Sequence, residues 1–280
     1  MDLFLFRLNL KAKEHMDLFG PRAGDGSELT REGWLRLYFS GAHTFNHRGS
    51  PFYFAPQPDD SGQFGKLLLG WIGRERLVHE RTPPDEGFEQ ITRPQWQAAF
   101  IAIDPTPHSD GQKIAIEANG EIGRPSALLN SIVRHMNEVG DGPYSATAYP
   151  IIADGSFWDF AEKHGDQIKS ITFDVAAPNM FNDAEDFQNE LRMLRDQVNV
   201  AQVKATLESD TTLKHRTPPI EQIVNYTERG AGSLSAEALD GTTYSSEASE
   251  AREHVEDIEH HSKNLGKFLR EILSVLGRIF

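Results

Sequence analysis

The chain has 280 residues, with 28 lysines and arginines against 42 aspartates and glutamates, a formal charge of -14, and no cysteine. The missing cysteines exclude disulfides, thiolate zinc sites and cysteine nucleophiles and favour a cytoplasmic setting. The acidity excludes a surface coated for polyanions and leaves nucleic-acid contact to local basic patches. No run approaches the roughly 18 apolar residues of a membrane span, and the start alternates as a strand does, unlike a leader.

In chain order, Phe4, Phe6, Leu8 and Leu10 alternate as one face of a first strand. The stretches GSPFYFAPQ, KLLLGWIGRERLVHE, QWQAAFIAID and QKIAIEAN read as further strands bounded by Gly, Pro and Asp. Turn residues predict loops over 41–63 and 81–94. From Pro125, a residue suited to a first helical turn, Leu128, Leu129, Ile132, Val133 and Met136 fall on one helical face. A strand over 144–152, a short helix capped by Ser156 and the strand KSITFDVAAP follow. Asn182 or Asp183 caps a helix with a stripe of Ala184, Phe187, Leu191, Leu194 and Val198. Strand AQVKATLE, a helix from Thr217 and Pro218, and strand SLSAEALDG complete the body.

Past that body, Ala248, Ala251, Val255, Ile258, Ser262, Leu265, Leu269, Ile272, Leu276 and Ile279 are spaced alternately by three and four. This spacing predicts a single helix of roughly 34 residues, about 50 Å long, with a coiled-coil seam. Val255, Ile258, Leu265, Leu269, Ile272, Leu276 and Ile279 are the expected oligomerisation contacts. The same apolar face could instead pack back on the chain's own body, and Lys263, Lys267, Arg270 and Arg278 around it also suit docking on an anionic membrane or a partner.

The expected class is α+β: two mixed lobes of mainly antiparallel sheet with helices on one face, plus the long C-terminal helix. The expected division is a β-rich lobe over 1–142, a second lobe over 143–245, and the helix over 246–280.

The strand MDLFLFRLNL, the stretches IKSITFDVAAPNMFNDAEDFQNELRML and IVNYTERGAGSLSAEALDGTTYSSE, and the terminal seam together resemble a set of bacterial and phage exclusion proteins. They include the Rex protein A family of lambdoid phages, a family found beside phage-defence genes, and the DNA-binding subunit of the Kiwa antiphage system. The resemblance implies a sensor or effector that recognises nucleic acid or a phage nucleoprotein and works with a membrane-protein partner. This chain departs from a simple DNA binder in its acidity.

Several constellations offer chemistry. Lys204 with Lys214, His215 and Arg216 could converge on a phosphate, and Arg48 beside His47, Phe52, Tyr53 and Phe54 has the make-up of a base-stacking platform, although core packing of the alternate aromatics is the favoured reading there. Asp104 and Glu117 on adjoining strands are the alternative, as the carboxylates of a metal-dependent nuclease, although Asn119 stands where a companion lysine belongs. Glu250, His254, Asp257 and His261 would share one helical face, where at most two neighbours could hold one ion. The glycines of Glu228-Arg229-Gly230-Ala231-Gly232 lack the lysine and the following helix of a phosphate loop. The leading expectation is therefore a non-enzymatic homo-oligomer, without cofactor or metal, that binds nucleic acid; a plain protein adaptor is the third reading.

Overall fold

The structure is a computed structural model that describes the chain except residues 14–28, 59–61, 63–64, 109–110, 140–141, 177–192, 195–196, 199, 201, 256–264 and 279–280. Strand β1 (Asp2–Ala12) organises the larger lobe through its alternation. Its even residues Phe4, Phe6, Leu8 and Leu10 enter one core with Trp34, Leu35, Tyr38 and Phe39 of α1 (Arg31–Phe39) and Leu128, Leu129, Ile132 and Met136 of α2 (Pro125–Glu138). Its odd residues Leu3 and Leu5 face a second core on the other side of the sheet. Both faces of the strand are therefore covered.

The sheet runs β12-β1-β6-β5-β4-β3-β2, with β2 at His43–His47, β3 at Ser50–Pro56, β4 at Leu68–Arg81, β5 at Gln90–Asp104, β6 at Gln112–Glu117 and β12 at Arg252–His254. All of its pairings are antiparallel. Strand β7 (Tyr144–Pro150) pairs with Phe6 to Ala12 of β1, on the edge of β1 that β12 continues. The lobe boundary expected at residue 142 thus lies beyond Pro150.

Two expected loops are partly strand. The stretch 41–63 contains the β2–β3 hairpin, and β4 and β5 run into the stretch 81–94 until only 82–89 connects them. Helix α1 had no counterpart in the sequence reading. It is started by Thr30, whose hydroxyl accepts from Gly33 N at 3.0 Å.

The second sheet has the order β11-β10-β8-β9, with β8 at Ile168–Ala176, β9 at Gln202–Glu208, β10 at Gly232–Ala238 and β11 at Thr243–Ser245. Ile171, Phe173, Val175, Leu234 and Ala236 pack beneath α3 (Ser156–Lys163) and α4 (Pro218–Tyr226) through Phe157, Ala161, Ile220, Ile223 and Val224. The other face presents Thr172, Asp174, Lys204, Thr206, Ser233 and Ser235. Of the helix expected after Asn182 or Asp183, all but 193–194 and 197–198 lies outside the described residues, and those four are helical.

The fold is α+β with a C-terminal helix, but the helix, α5, spans Leu265–Arg278. The predicted seam is not α-helical over 246–255. Ser246–Ala248 is a single 3-10 turn, Glu250 bridges to Ile152, and Arg252–His254 is β12. Two causes are visible. Ser245, Ser246 and Ser249 are weak helix formers, and β7 ends at Pro150, leaving the first residues of β1 with an open edge that β12 satisfies.

The seam itself turns inward. Leu269, Ile272 and Leu276, joined by Phe268 and Val275, are buried against Leu3, Leu5, Leu69, Phe100, Ala102 and Ala115 of the chain's own sheet, and Val255 is buried with them. Burying such side chains is worth about 1.5–3 kcal/mol each, enough to hold a helix of this length on the sheet. Val255, Leu269, Ile272 and Leu276 are corrected from chain-to-chain contacts to interior residues. Ile258, Ile279 and the side chain of Leu265 lie outside the described residues. Among the described residues no helix is long and apolar enough to cross a membrane.

Candidate nucleic-acid interface

The β2–β3 hairpin turns at Arg48 and Gly49, whose φ angles of 51° and 83° are those of a two-residue primed turn. Arginine in the left-handed region costs about 1–2 kcal/mol, so the turn is held by its surroundings. Asn46 Oδ1 accepts from Gly49 N at 2.9 Å. His47 is buried, and its Nδ1 lies 2.8 Å from Ser131 Oγ on α2, a hydroxyl that donates to Ala127 O at 3.2 Å. Burial, then the charges of Arg48, Arg74 and Arg134, push the His47 imidazole below its usual range. The ring is a neutral strut that pins the hairpin tip to α2.

That tip places Arg48 at the mouth of a cleft of about 470 Å³ between the lobes. Arg124 and Ser126 at the start of α2, Asn130, the strand β7 from Ala146 to Pro150, and Asp174, Ser233 and Glu247 line the rest. The volume falls within the ~300–1,000 Å³ of ligand sites. Arg48, Arg124 and Arg134 are exposed and form no hydrogen bond or ion pair with the described residues. Arg124 occupies the N-cap of α2 without a side-chain cap bond, the end of a helix where a cation is disfavoured.

The cleft carries charge of both signs. Burial raises the Glu250 carboxyl above its usual range, with Glu247 nearby adding to the effect while a hydrogen bond from Ser126 and the charges of Arg252 and Arg124 oppose it. Tyr149 is pushed up to about 12 by burial and then by Asp174, so its phenol keeps its proton, and its oxygen accepts from Gln202 Nε2 at 3.1 Å. Cations, a phenol and hydroxyls thus line the cleft together with the carboxylates of Asp174 and Glu247.

The structure separates the basic cluster expected from sequence. Lys204 stands opposite Asp174 on the open face of the second sheet, at the rim of the cleft. Lys214, His215 and Arg216 follow Leu213, whose N bonds Ile168 O at the other end of β8, about 20 Å away at ~3.3 Å per residue. There Arg216 grips Asp166 at 3.0 and 3.4 Å, and its guanidinium carbon lies 5.6 Å from the centre of the Trp158 ring. His215 is buried, with ring nitrogens 3.2 Å from Asp166 Oδ1 and from Leu213 O. Hydrogen bonds from Arg216 and then His215 hold the Asp166 carboxyl below its usual range. His215 and Arg216 are corrected to local ion-pair partners. Arg48 and Lys204 remain together at the cleft, joined by Arg124, which the sequence reading did not single out. Arg124-Pro125, a cation fixed at a helix start, was the available signal.

The aromatics beside Arg48 alternate between core and surface as the favoured reading expects, so no three-ring stacking platform forms. Phe52 and Phe54 are buried in the core, leaving only Tyr53 outside. The carboxylate pair fails too. Asp104 faces Lys113, whereas Glu117 faces Phe100 and accepts its N–H at 2.8 Å, about 13 Å away along the strand. Two groups that far apart cannot share one ion. Of the expected helical row, Glu250 and His254 lie on extended backbone and Asp257 and His261 lie outside the described residues. Among the described residues no group of three metal-capable side chains gathers. No protein family matches the sequence, and no similar protein is found among characterised sequences or solved structures.

Proposed function

We propose that this protein binds nucleic acid, alone or in a phage nucleoprotein, at the cleft between its lobes, and that it serves phage exclusion as the resemblance of its strand and turn segments implies. The observation that supports the reading is the pair Arg48 and Arg124, exposed cations that line the cleft and form no hydrogen bond or close ion pair with the described residues of a chain with a charge of -14. Phosphates positioned by these arginines and by Lys204 would hold the strand, while Tyr149, Ser126 and Thr147 are placed to meet sugar or base edges. The acidic remainder of the surface would suppress binding elsewhere.

Fluorescence anisotropy with labelled single- and double-stranded DNA and RNA, at low and moderate salt, tests the reading. R48E with R124E should abolish binding, whereas R216E should leave it intact. On duplex DNA each lost phosphate contact lowers the slope of log K against log salt by about 0.9. Equal affinity of the R48E/R124E variant, or no binding of any of the four at low salt, overturns the assignment. Plaque counts on hosts carrying the intact or the doubly substituted chain test the exclusion role.

A further inference from the structure

Strands β4 and β5 continue past their neighbours. Strand β3 last pairs at Tyr53 with Gly73, and β6 ends its pairing where Ile116 meets Ile101. Among the described residues, the eight cross-strand pairs from Arg74 with Gln97 to Arg81 with Gln90 therefore form a ribbon of two strands. It is about 24 Å long at ~3.4 Å per residue. Leu77 and Trp96 on it are 68 and 57% exposed, and Phe88 in the loop at its tip is 56% exposed. A bare two-stranded ribbon is marginal in water. Something is needed to extend it.

Among the described residues both edges of the ribbon are open; Pro94 interrupts that of β5, and that of β4 is uninterrupted. Pro51 lacks an N–H, so β3 peels away there and leaves a notch of about 330 Å³ between Ser50, Pro51 and Tyr53 on one side and Arg74, Glu75 and Leu77 on the other. Leu69 O accepts from Gln57 N on the β3 side, so alternation sends the N–H and C=O groups of Glu75, Leu77, His79 and Arg81 out along this same edge.

We propose that two copies of the chain pair antiparallel through this edge of β4, about a twofold axis at Val78, to make a four-stranded sheet in the order β5-β4-β4-β5. The charge order supports that occupant and that register. Reading Glu75-Arg76-Leu77-Val78-His79-Glu80-Arg81 against itself places Glu75 opposite Arg81 and Arg76 opposite Glu80, each twice by symmetry, with Leu77 opposite His79. Sliding the register to the next one that keeps side chains on their own faces puts Arg76 opposite Val78 or Thr82 and loses both pairings. An edge of one charge sign would repel its copy; this one carries inverted signs. Within the chain Arg76 already meets Glu121, and Glu80 lies 4.0 Å from Arg93, so the new pairs would join a network. The arm also resolves the repulsion between two bodies of charge -14, because its length exceeds the ~10 Å screening distance at 0.1 M salt.

Sedimentation or light scattering of the full chain across a concentration series tests the proposal. A reversible dimer is expected. R76E, which sets Glu against Glu80 at two symmetric places, should weaken it about tenfold or more, and R76E/E80R should restore it to within about threefold. Leu77→Pro removes an edge N–H that β5 does not use, and should give a monomer with an intact body. A wild-type chain that stays monomeric, a dimer indifferent to R76E and Leu77→Pro, or a double reversal that fails to rescue would each overturn the interface.

Discussion

Tyr38 Oη lies 2.6 Å from Nδ1 of His135, joining α1 to α2, while the His43 ring of β2 stacks on Tyr38 with centroids 4.2 Å apart and planes 12° from parallel. Burial pushes the Tyr38 phenol up, so it keeps its proton and donates. Burial, and then the charge of His43, push His135 below its ordinary value of 6.5, so its ring is a neutral acceptor. His43 in turn contacts Tyr38 O through Nε2 at 2.6 Å. Three elements meet in one hydrogen-bonded stack that relies on a neutral imidazole.

The sign of the resulting pH dependence follows from proton counting. A histidine whose folded pKa lies below its unfolded one binds fewer protons when folded, so its contribution is present above pH 6.5 and is lost as pH falls towards the folded value. The melting temperature should therefore fall on acidification through this window. His135→Asn offers Tyr38 an acceptor that does not titrate, and should flatten part of the fall in thermal melts. Parallel curves for the two proteins would show that His135 carries none of it.

Gly230 has φ +79°, and a Cβ there would stand 2.6 Å from Cγ of the fully buried Arg7. Gly230→Ala should cost about 1–2 kcal/mol for the left-handed conformation alone, and more because the chain is tightly packed against Arg7. Urea unfolding gives the number. A variant as stable as the parent would mean that the 227–231 turn is free to move away from β1.

Phe268 is fully buried, its ring centroid 5.4 Å from that of Phe100 in an edge-to-face contact. Phe268→Ala should lower the unfolding free energy by about 3–5 kcal/mol, the cost of a large core cavity. Light scattering on the same variant should show the assembly state of the folded protein unchanged, because this face of α5 covers the sheet of its own chain. Loss of a dimer with little loss of stability would return the helix to the role its spacing suggested.

That spacing shows where sequence legibility ends. Alternation at Phe4, Phe6, Leu8 and Leu10 and helical periodicity from Leu128 to Met136 each identify an element and its buried face, because each pattern has one structural solution. The steps of three and four from Ala248 to Ile279 identify α5 but overrun it, since small and serine-rich positions up to Val255 fit the same arithmetic while forming β12. Which surface the apolar stripe meets is a tertiary fact that periodicity does not carry. The site was half legible for a related reason. Arg48 and Lys204 were found as cations, but whether a cation is free depends on its neighbours. Asp166, some fifty residues from His215 and Arg216, holds that pair, whereas Arg124 forms no close ion pair among the described residues.

Glu228 is the other buried titrating group at the lobe junction. Its Oε1 accepts from Gly155 N at 3.2 Å, and its backbone oxygen accepts from Ile152 N at 3.1 Å. Burial raises its carboxyl to about 7, the bond from Gly155 opposing this and Asp154 adding to it. A folded pKa above the unfolded value of 4.5 contributes stability that is complete below pH 4.5 and is lost as pH rises through about 7. This trend opposes that of His135, so the two offset one another between about pH 5 and 6.5 and separate only when one is removed. Glu228→Gln keeps the acceptor for Gly155 and deletes the titration. Its melting temperature should exceed that of the parent at about pH 8 and approach it at about pH 5. A variant less stable than the parent at the higher pH would show that the ionised carboxylate is itself a structural partner, and would remove the assignment of a strained buried charge.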